Sequence, residues 1–448
     1  MKIELLKILK SEVKPALGCT GPISVALAAA AAKNAVGGEL KKLELTIDKD
    51  TYKNSISVAT PNTPYYGVIE PAVVAAMYGN ASYGLEVLRD IGDNWDSEKV
   101  KSFALENTDV SIKWDLKVMG VYIEAYAYTD RGIGHAIVAQ QHDKIVLQEA
   151  NGIIQKKDLN YSADDLRFDQ NYPIRAYKIK DFYDFICEVP IEDITFLKKA
   201  LEINYNLAKA GLDEGMGARF GEGFSSMGID TYVNRAKALA SAASDARMSG
   251  KALLAMSCAS SGNVGITASV PLIPVSEHFH ASEEILLRAV ALSYLLTIYG
   301  KAHIGRLSPM CACAMVASIG IGAGSCYMMG GDYEQIEATI SNIVGATGGV
   351  LCDGAKFGCA LKLAFGVGNA IESAALAMIG KRIPLYNGVV GANADETLTI
   401  LGRIARKGMQ EADEIMCNEF IKRDTRVRIN EKNRTDATKM SCSVAHTV

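Results

Sequence analysis

The sequence predicts two folded parts in series: an α+β N-terminal domain with an antiparallel sheet, then a mostly α-helical, Gly- and Ala-rich domain. Three observations predict it. Short runs of alternating apolar residues, the pattern of half-buried strands, are confined to residues 1–190. After Pro190 the texture turns to long Ala-, Leu- and Gly-rich segments with few strand signals. The chain has 448 residues, 49% of them hydrophobic, which is enough for a full core and more than one domain usually holds. The expected divisions are residues 1–190, residues 191–430 and a polar tail over 431–448.

Taken in order, apolar residues at helical spacing predict a first helix over Lys2–Val13. The break Lys14-Pro15-Ala16-Leu17-Gly18-Cys19-Thr20-Gly21-Pro22 follows, and then an alanine-rich helix from Ile23 to Ala35. Thr20 as N-cap and Pro22 just inside the start fit the usual helix-start signals, which places Cys19 at a helix mouth. Strands are expected over Leu43–Ile47, Val110–Trp114, Lys117–Thr129, His135–Gln140 and Ile145–Gln148, with helices over Glu70–Tyr78 and Tyr83–Ile91 between them. In the second part, helices are expected over Ile194–Ala210, Tyr232–Met248, Glu283–Tyr299, Cys311–Gly320, Tyr333–Asn342, Cys359–Met378 and Asp395–Cys417.

A net charge of -4, with both signs spread along the chain, leaves no nucleic-acid footprint. The first residues form no apolar signal segment with a small-residue cleavage site, so a cytoplasmic protein is expected. Residues 307–331 carry no charge and are long enough to span a bilayer, but they hold three cysteines, Pro309 and many glycines and read instead as buried protein; no membrane partner is expected. Glycine-rich helices of this kind often pack in homo-oligomers. The ten cysteines, in a long chain with an ample core, read as reduced thiols, some of them metal ligands.

Three places carry residues suited to chemistry. At Cys19, orphan N–H groups and the helix dipole favour an anion, so a thiolate there can act as base or nucleophile; a small buried turn residue is the alternative. In Cys352-Asp353-Gly354-Ala355-Lys356-Phe357-Gly358-Cys359, two thiols flank a loop that two glycines let fold round one centre. Without paired C-x2-C motifs, a thiolate-ligated cluster fits better than structural zinc. A third ligand can come from Cys311 or Cys313, which on a helix would point about 200° apart. The turn Ser261-Gly262-Asn263 presents hydroxyl, amide and backbone N–H groups suited to a carboxylate, or is a plain turn. Lys356 is either an electrostatic partner for sulfide or carboxylate or a solvated lysine, and His142 stands as a further substrate-site candidate. No lysine sits in a context that singles it out as a Schiff base.

Taken together, Leu17-Gly18-Cys19-Thr20, Ala243-Ser244-Asp245-Ala246-Arg247-Met248, Ser261-Gly262-Asn263, Gly305-Arg306-Leu307-Ser308 with Cys311, and Cys352-Asp353-Gly354-Ala355-Lys356 with Cys359-Ala360-Leu361-Lys362 resemble the L-cysteine desulfidase family, related to the α-chain of iron–sulfur L-serine dehydratases. The resemblance covers nearly the whole chain. It implies a 4Fe-4S cluster ligated by Cys311, Cys352 and Cys359, with Cys313 the rival for the first ligand. It further implies Cys19 as catalytic base, and a small amino acid as substrate at Ser261, Gly262, Asn263, Thr20 and Lys356. The implied reaction is β-elimination from L-cysteine to pyruvate, ammonia and sulfide; an L-serine dehydratase and a non-catalytic iron–sulfur sensor are the alternatives. Two departures stand out: Gly21 where the family carries an acidic residue, and Pro61-Asn62-Thr63 where a Pro-Gly-Thr turn is expected.

Overall fold

The computed structural model of the chain describes residues 2–92, 95–114, 121–159, 172–423 and 427–430. The tail expected over 431–448, and residues 117–120 of one expected strand, lie outside these. The described strands are β1 Val13–Leu17, β2 Leu40–Asp48, β3 Thr108–Lys113, β4 Tyr122–Thr129, β5 Gly132–Ala139, β6 Ile145–Ala150, β7 Ile153–Lys157, β8 Leu254–Cys258 and β9 Val427–Asn430. The chain divides into two compact units, one of Met1–Thr20 with Gln170–Met409 and one of Gly21–Asp169 with Gln410–Val448.

The second of these is the α+β unit, and its sheet runs β7-β6-β5-β4-β2-β3-β9. Pairing is antiparallel from β7 through to β2, as expected, and parallel where β2 meets β3 and β3 meets β9. Alternation sets the register: Leu45 and Ile47 lie opposite Ala125 and Ile123 on one side and Val110 and Ile112 on the other, all buried on one face. The alanine-rich helix Thr20–Val36 packs close to this sheet, because a Cβ at Gly134 of β5 would fall 1.9 Å from the Ala32 carbonyl oxygen. The expected helix over Tyr83–Ile91 is a short irregular 3-10 turn, Ala81–Glu86, broken at Gly84. The Thr60–Thr63 turn has Asn62 at φ 62°, the left-handed conformation that lets asparagine take the place expected of glycine.

The helical unit contains the two-stranded ribbon β1–β8, paired Val13 to Cys258 through Leu17 to Leu254. Residues 1–20 therefore belong to this unit and not, as the division at 190 supposed, to the α+β part. The physical reason is burial: Leu5, Ile8, Leu9 and Val13 join Phe182, Phe185 and the helix Glu283–Ile304 in one hydrophobic core. At the other end the expected helix Asp395–Cys417 is broken into Ala394–Arg403, a π-helical turn Ile404–Gly408 and Gln410–Arg423, and the chain leaves the unit after Met409. Tyr232–Met248 forms as predicted. Among the described residues two helices, Glu283–Ile304 and Gly358–Met378, are long and apolar enough to cross a membrane, but their most apolar windows are 83% and 56% buried within the protein. The uncharged stretch 307–331 holds only the 13-residue helix Val316–Met328, shorter than a spanning helix needs.

Candidate active site

The thiol centre is built by a short antiparallel contact between two loops of the helical unit. Cys311 N donates to the Val350 carbonyl at 2.8 Å and Cys352 N to the Pro309 carbonyl at 2.7 Å, around a bridge between Met310 and Leu351. This small ladder sets Cys311 beside Cys352, and their thiols are in hydrogen-bond contact. Cys359, near the start of the helix Gly358–Met378, returns toward them, with its Sγ 3.5 Å from the Gly354 carbonyl and its N–H on the Lys356 carbonyl at 2.9 Å. Gly354, at φ 89°, makes the bend.

The expected helix over Cys311–Gly320 starts only at Val316. Cys311 and Cys313 thus lie in an irregular turn, the helical angle between them does not apply, and the Cys311 thiol also contacts that of Cys313. The Cys313 bond, together with burial, pushes the Cys311 thiol up to about 12, opposed by the Cys352 bond. Burial pushes Cys359 up to about 11. Both are thiols in the metal-free chain, so taking a metal here releases protons.

Cations face these sulfurs. Lys301, 4% exposed, is pulled down to about 8 by burial and by Arg306, and is held up by Cys313, Cys352 and Cys258. Lys362 donates to the Leu351 carbonyl at 2.7 Å and, with Lys356, to the Asp353 carboxylate. Burial raises Asp353, but those two lysines outweigh it and hold the carboxyl below its ordinary range. The structure therefore engages Lys356, expected at the substrate, with Asp353.

Among the described residues no three His, Cys, Asp or Glu side chains are arranged round a single metal ion. The donor set is thiols from neighbouring turns, with the buried Lys301 and the half-buried Lys362 beside them. That suits a cluster, in which each ligating thiolate takes a different iron, and not a zinc that draws four ligands onto one ion. The residues present fit a 4Fe-4S cluster in this sense.

The rest of the site gathers round the end of β8. Cys258 and Ser261 close a two-residue turn, with Ala259 at φ 47° and Ser260 at φ 64°. Two consecutive left-handed residues make this a type I′ turn without its usual Asn-Gly, a strained arrangement of the kind that clusters at functional sites. Arg306 donates to Ser260 Oγ at 2.7 Å and pairs with Glu12. Thr20, expected as an N-cap, is the first residue of its helix, and its hydroxyl donates to the Ser260 carbonyl at 3.1 Å. Cys19, two residues after β1 in the chain, is buried and lies in the same compact unit as Cys311, Cys352 and Cys359. Ser261 precedes the turn of helix Gly262–Thr267, and Asn263 Oδ1 accepts from Arg247 Nη1 at 3.0 Å. Arg247 also donates to the Gly18 carbonyl at 2.8 Å, tying the loop before Cys19 to this turn.

His142 belongs to the α+β unit, where its carbonyl accepts from Ser24 Oγ at 2.7 Å. Gly21 also belongs there. A Cβ at 21 would lie 2.6 Å from Ser55 Oγ, so an acidic residue would require Ser55 to turn away from its bond to the Thr51 carbonyl. Glu12 and Lys301 are site residues that the sequence did not single out, and Arg247 and Arg306 stood out there only as parts of motifs. The available signal was a lone guanidinium at the end of the small-residue run Ala238–Ala246.

The family profile described as "Serine dehydratase alpha chain" matches residues 82–418, which include Arg247, Cys311, Cys352 and Cys359 and begin after Cys19. The chain is also similar to proteins named only as UPF0597 proteins. One from Clostridium tetani is 36% identical over 420 residues, covering 94% of this chain and 98% of the relative. One from Caldanaerobacter subterraneus is 37% identical over 422 residues, with 94% and 98% covered. One from Clostridioides difficile is 34% identical over 421 residues, with 92% and 98% covered.

Proposed function

The chain belongs to the serine dehydratase alpha-chain family and is a lyase of that general type, and from that premise we propose that it eliminates the β-substituent of L-cysteine. The overall reaction is L-cysteine and water to pyruvate, ammonia and sulfide. What supports the reading most is the meeting of Cys311, Cys352 and Cys359 beside the buried Lys301 and the half-buried Lys362, in the same compact unit as Cys19.

Cys311, Cys352 and Cys359 would hold a 4Fe-4S cluster, with Cys313 the rival for the first position. When bound, such a cluster with three protein ligands supplies an open iron that acts as a Lewis acid toward the β-thiol. The protein's own residues do the remainder. Lys301 and Lys362 balance the negative charge gathered by the thiolates. Cys19 Sγ takes the α-proton as the C–S bond breaks. The Ser261–Asn263 turn and Thr20 orient the amino acid, while the buried setting keeps water from the carbanionic carbon. Sulfide and 2-aminoacrylate leave; the latter tautomerises to an imine and hydrolyses to pyruvate and ammonia. A thiolate-held, oxygen-sensitive cluster calls for a reducing compartment, so the proposal places the protein in the cytoplasm; self-association through the glycine-rich helices is part of the same expectation.

The description of the matched family favours a second reading, L-serine as substrate with loss of water. A substrate panel under strict anoxia separates the two. Sulfide release from L-cysteine faster than pyruvate formation from L-serine is the expected result. The reverse order assigns the protein to serine, and a chain that takes up iron but turns over neither substrate favours the sensor reading.

A further inference from the structure

Two buried guanidiniums flank the Cys258–Ser261 turn, and they differ in one respect. Arg306 has a carboxylate partner in Glu12. Arg247, 3% exposed, has none among the described residues. Its Nη1 donates to the amide oxygen of Asn263 at 3.0 Å and its Nη2 to the Gly18 carbonyl at 2.8 Å, both neutral acceptors, while Nε makes no hydrogen bond to a described residue. An arginine carries its charge throughout the physiological range and offers five donors in a fixed fork. Burying that charge with no counter-ion is strongly unfavourable, and natural sites of this kind are completed by an anion.

We propose that Arg247 is the anchor for the α-carboxylate of the substrate, so that the site selects α-amino acids with a free carboxylate and rejects their amides and decarboxylated amines. The inference rests on the reading that this site takes an amino acid. A single planar guanidinium in neutral surroundings matches one carboxylate; a phosphate dianion would call for more positive charge than this turn presents. Gly262 lets the backbone of the turn pack directly against the guanidinium, since a Cβ there would fall 2.3 Å from Arg247 Nε. Asn263 is a positioning residue: its amide oxygen fixes the fork without neutralising it, which leaves the charge for the ligand. The placement also serves the chemistry. The carbon that loses its proton is bonded to the carboxylate, and Arg247 is fixed to the backbone of the residue immediately before Cys19.

The experiment is calorimetric binding of L-alanine, which has the carboxylate but no leaving group, against L-alaninamide, on the anaerobically reconstituted full chain. The wild type is expected to prefer L-alanine by about a hundredfold or more, since a polar site built for one partner rejects the analogue lacking it. Arg247→Gln should reduce that preference to within about threefold. Asn263→Asp should do the same while keeping its iron and melting no lower than the wild type, because it supplies the missing carboxylate internally; this variant separates lost binding from lost folding. A wild type that binds both probes equally, or neither, overturns the anchor, as does a carboxylate preference that survives in both variants. If the wild type prefers L-alanine in this Arg247-dependent way yet eliminates from neither cysteine nor serine, the anchor stands and the elimination reading falls. If elimination proceeds and Arg247→Gln leaves kcat/KM for L-cysteine within about threefold of wild type, the anchor falls and the elimination reading stands.

Discussion

Arg306 and Glu12 face each other across 294 positions of the chain, the two guanidinium nitrogens 3.3 and 3.0 Å from the two carboxylate oxygens. Glu12 ends the first helix, and Arg306 begins the segment that leads to Cys311. The side chains are 9% and 18% exposed for Arg306 and Glu12, so water screens the pair little.

Glu12→Gln should therefore leave a buried guanidinium uncompensated and destabilise the chain by about 3 kcal/mol. A urea titration of wild type and variant measures it. A loss below about 1 kcal/mol would mean that the pair behaves as a surface contact.

Iron and sulfide reconstitution under anoxia should distinguish the four neighbouring thiols. Cys311→Ser, Cys352→Ser and Cys359→Ser should each lose the visible charge-transfer absorption and most bound iron, while Cys313→Ser should keep both. Retention in Cys311→Ser with loss in Cys313→Ser would move the first ligand to Cys313.

In the α+β unit, Asp413 accepts from both Lys49 and Lys53, and all three side chains are at most 8% exposed. Burial opposes ionisation of Asp413, but the two lysines outweigh it and hold the carboxyl well below its ordinary range. Asp413→Asn should cost about 3–5 kcal/mol, because it leaves Asp50, 3.0 Å from Lys49 and 3.8 Å from Lys53, as one carboxylate against two buried ammonium groups. Hydrogen exchange of the strands β2 and β4, compared between wild type and variant, reports the loss where it falls.

His303, 5% exposed, is pulled down to about 4 by burial and by the nearby charges of Arg175, Arg406 and Lys178. In the unfolded chain its ring takes a proton near pH 6.5, whereas in the folded chain it stays neutral to about pH 4. Between those values the unfolded state binds the extra proton, so stability falls as the pH drops, by about 3 kcal/mol over the whole window. His303→Leu should remove that part of the acid sensitivity. Denaturation midpoints at pH 7.5 and pH 4.5 that shift equally in both proteins would reject the assignment.

Local elements were legible where periodicity and punctuation agree. Tyr232–Met248 forms over the predicted residues, and β2 and β4 take up the predicted alternation. Misreadings fell where tertiary contacts override the local pattern. Val13–Leu17 reads as a helix end and a break, yet it pairs with Leu254–Cys258, a strand with no partner nearby in sequence. Ile153–Lys157 is exposed along its length and lacks the alternation of a half-buried strand, so only its pairing with β6 reveals it. At Cys311 a long apolar run reads as helix from its start, while backbone bonds to residues 350 and 352 hold its first turns open.

By itself the sequence determined the inventory of the chain: which stretches are amphipathic, where helices start, which thiols are available, and a resemblance strong enough to name a chemistry. Only the tertiary structure decided that residues 1–20 join the helical unit, that Cys311 lies beside Cys352, and that Arg306 has a carboxylate while Arg247 meets none among the described residues. The reason is physical. Periodicity reports the free energy of burying one face of one element, but which distant faces meet, and whether a buried charge finds its counter-charge, is settled by packing among segments that are far apart along the chain.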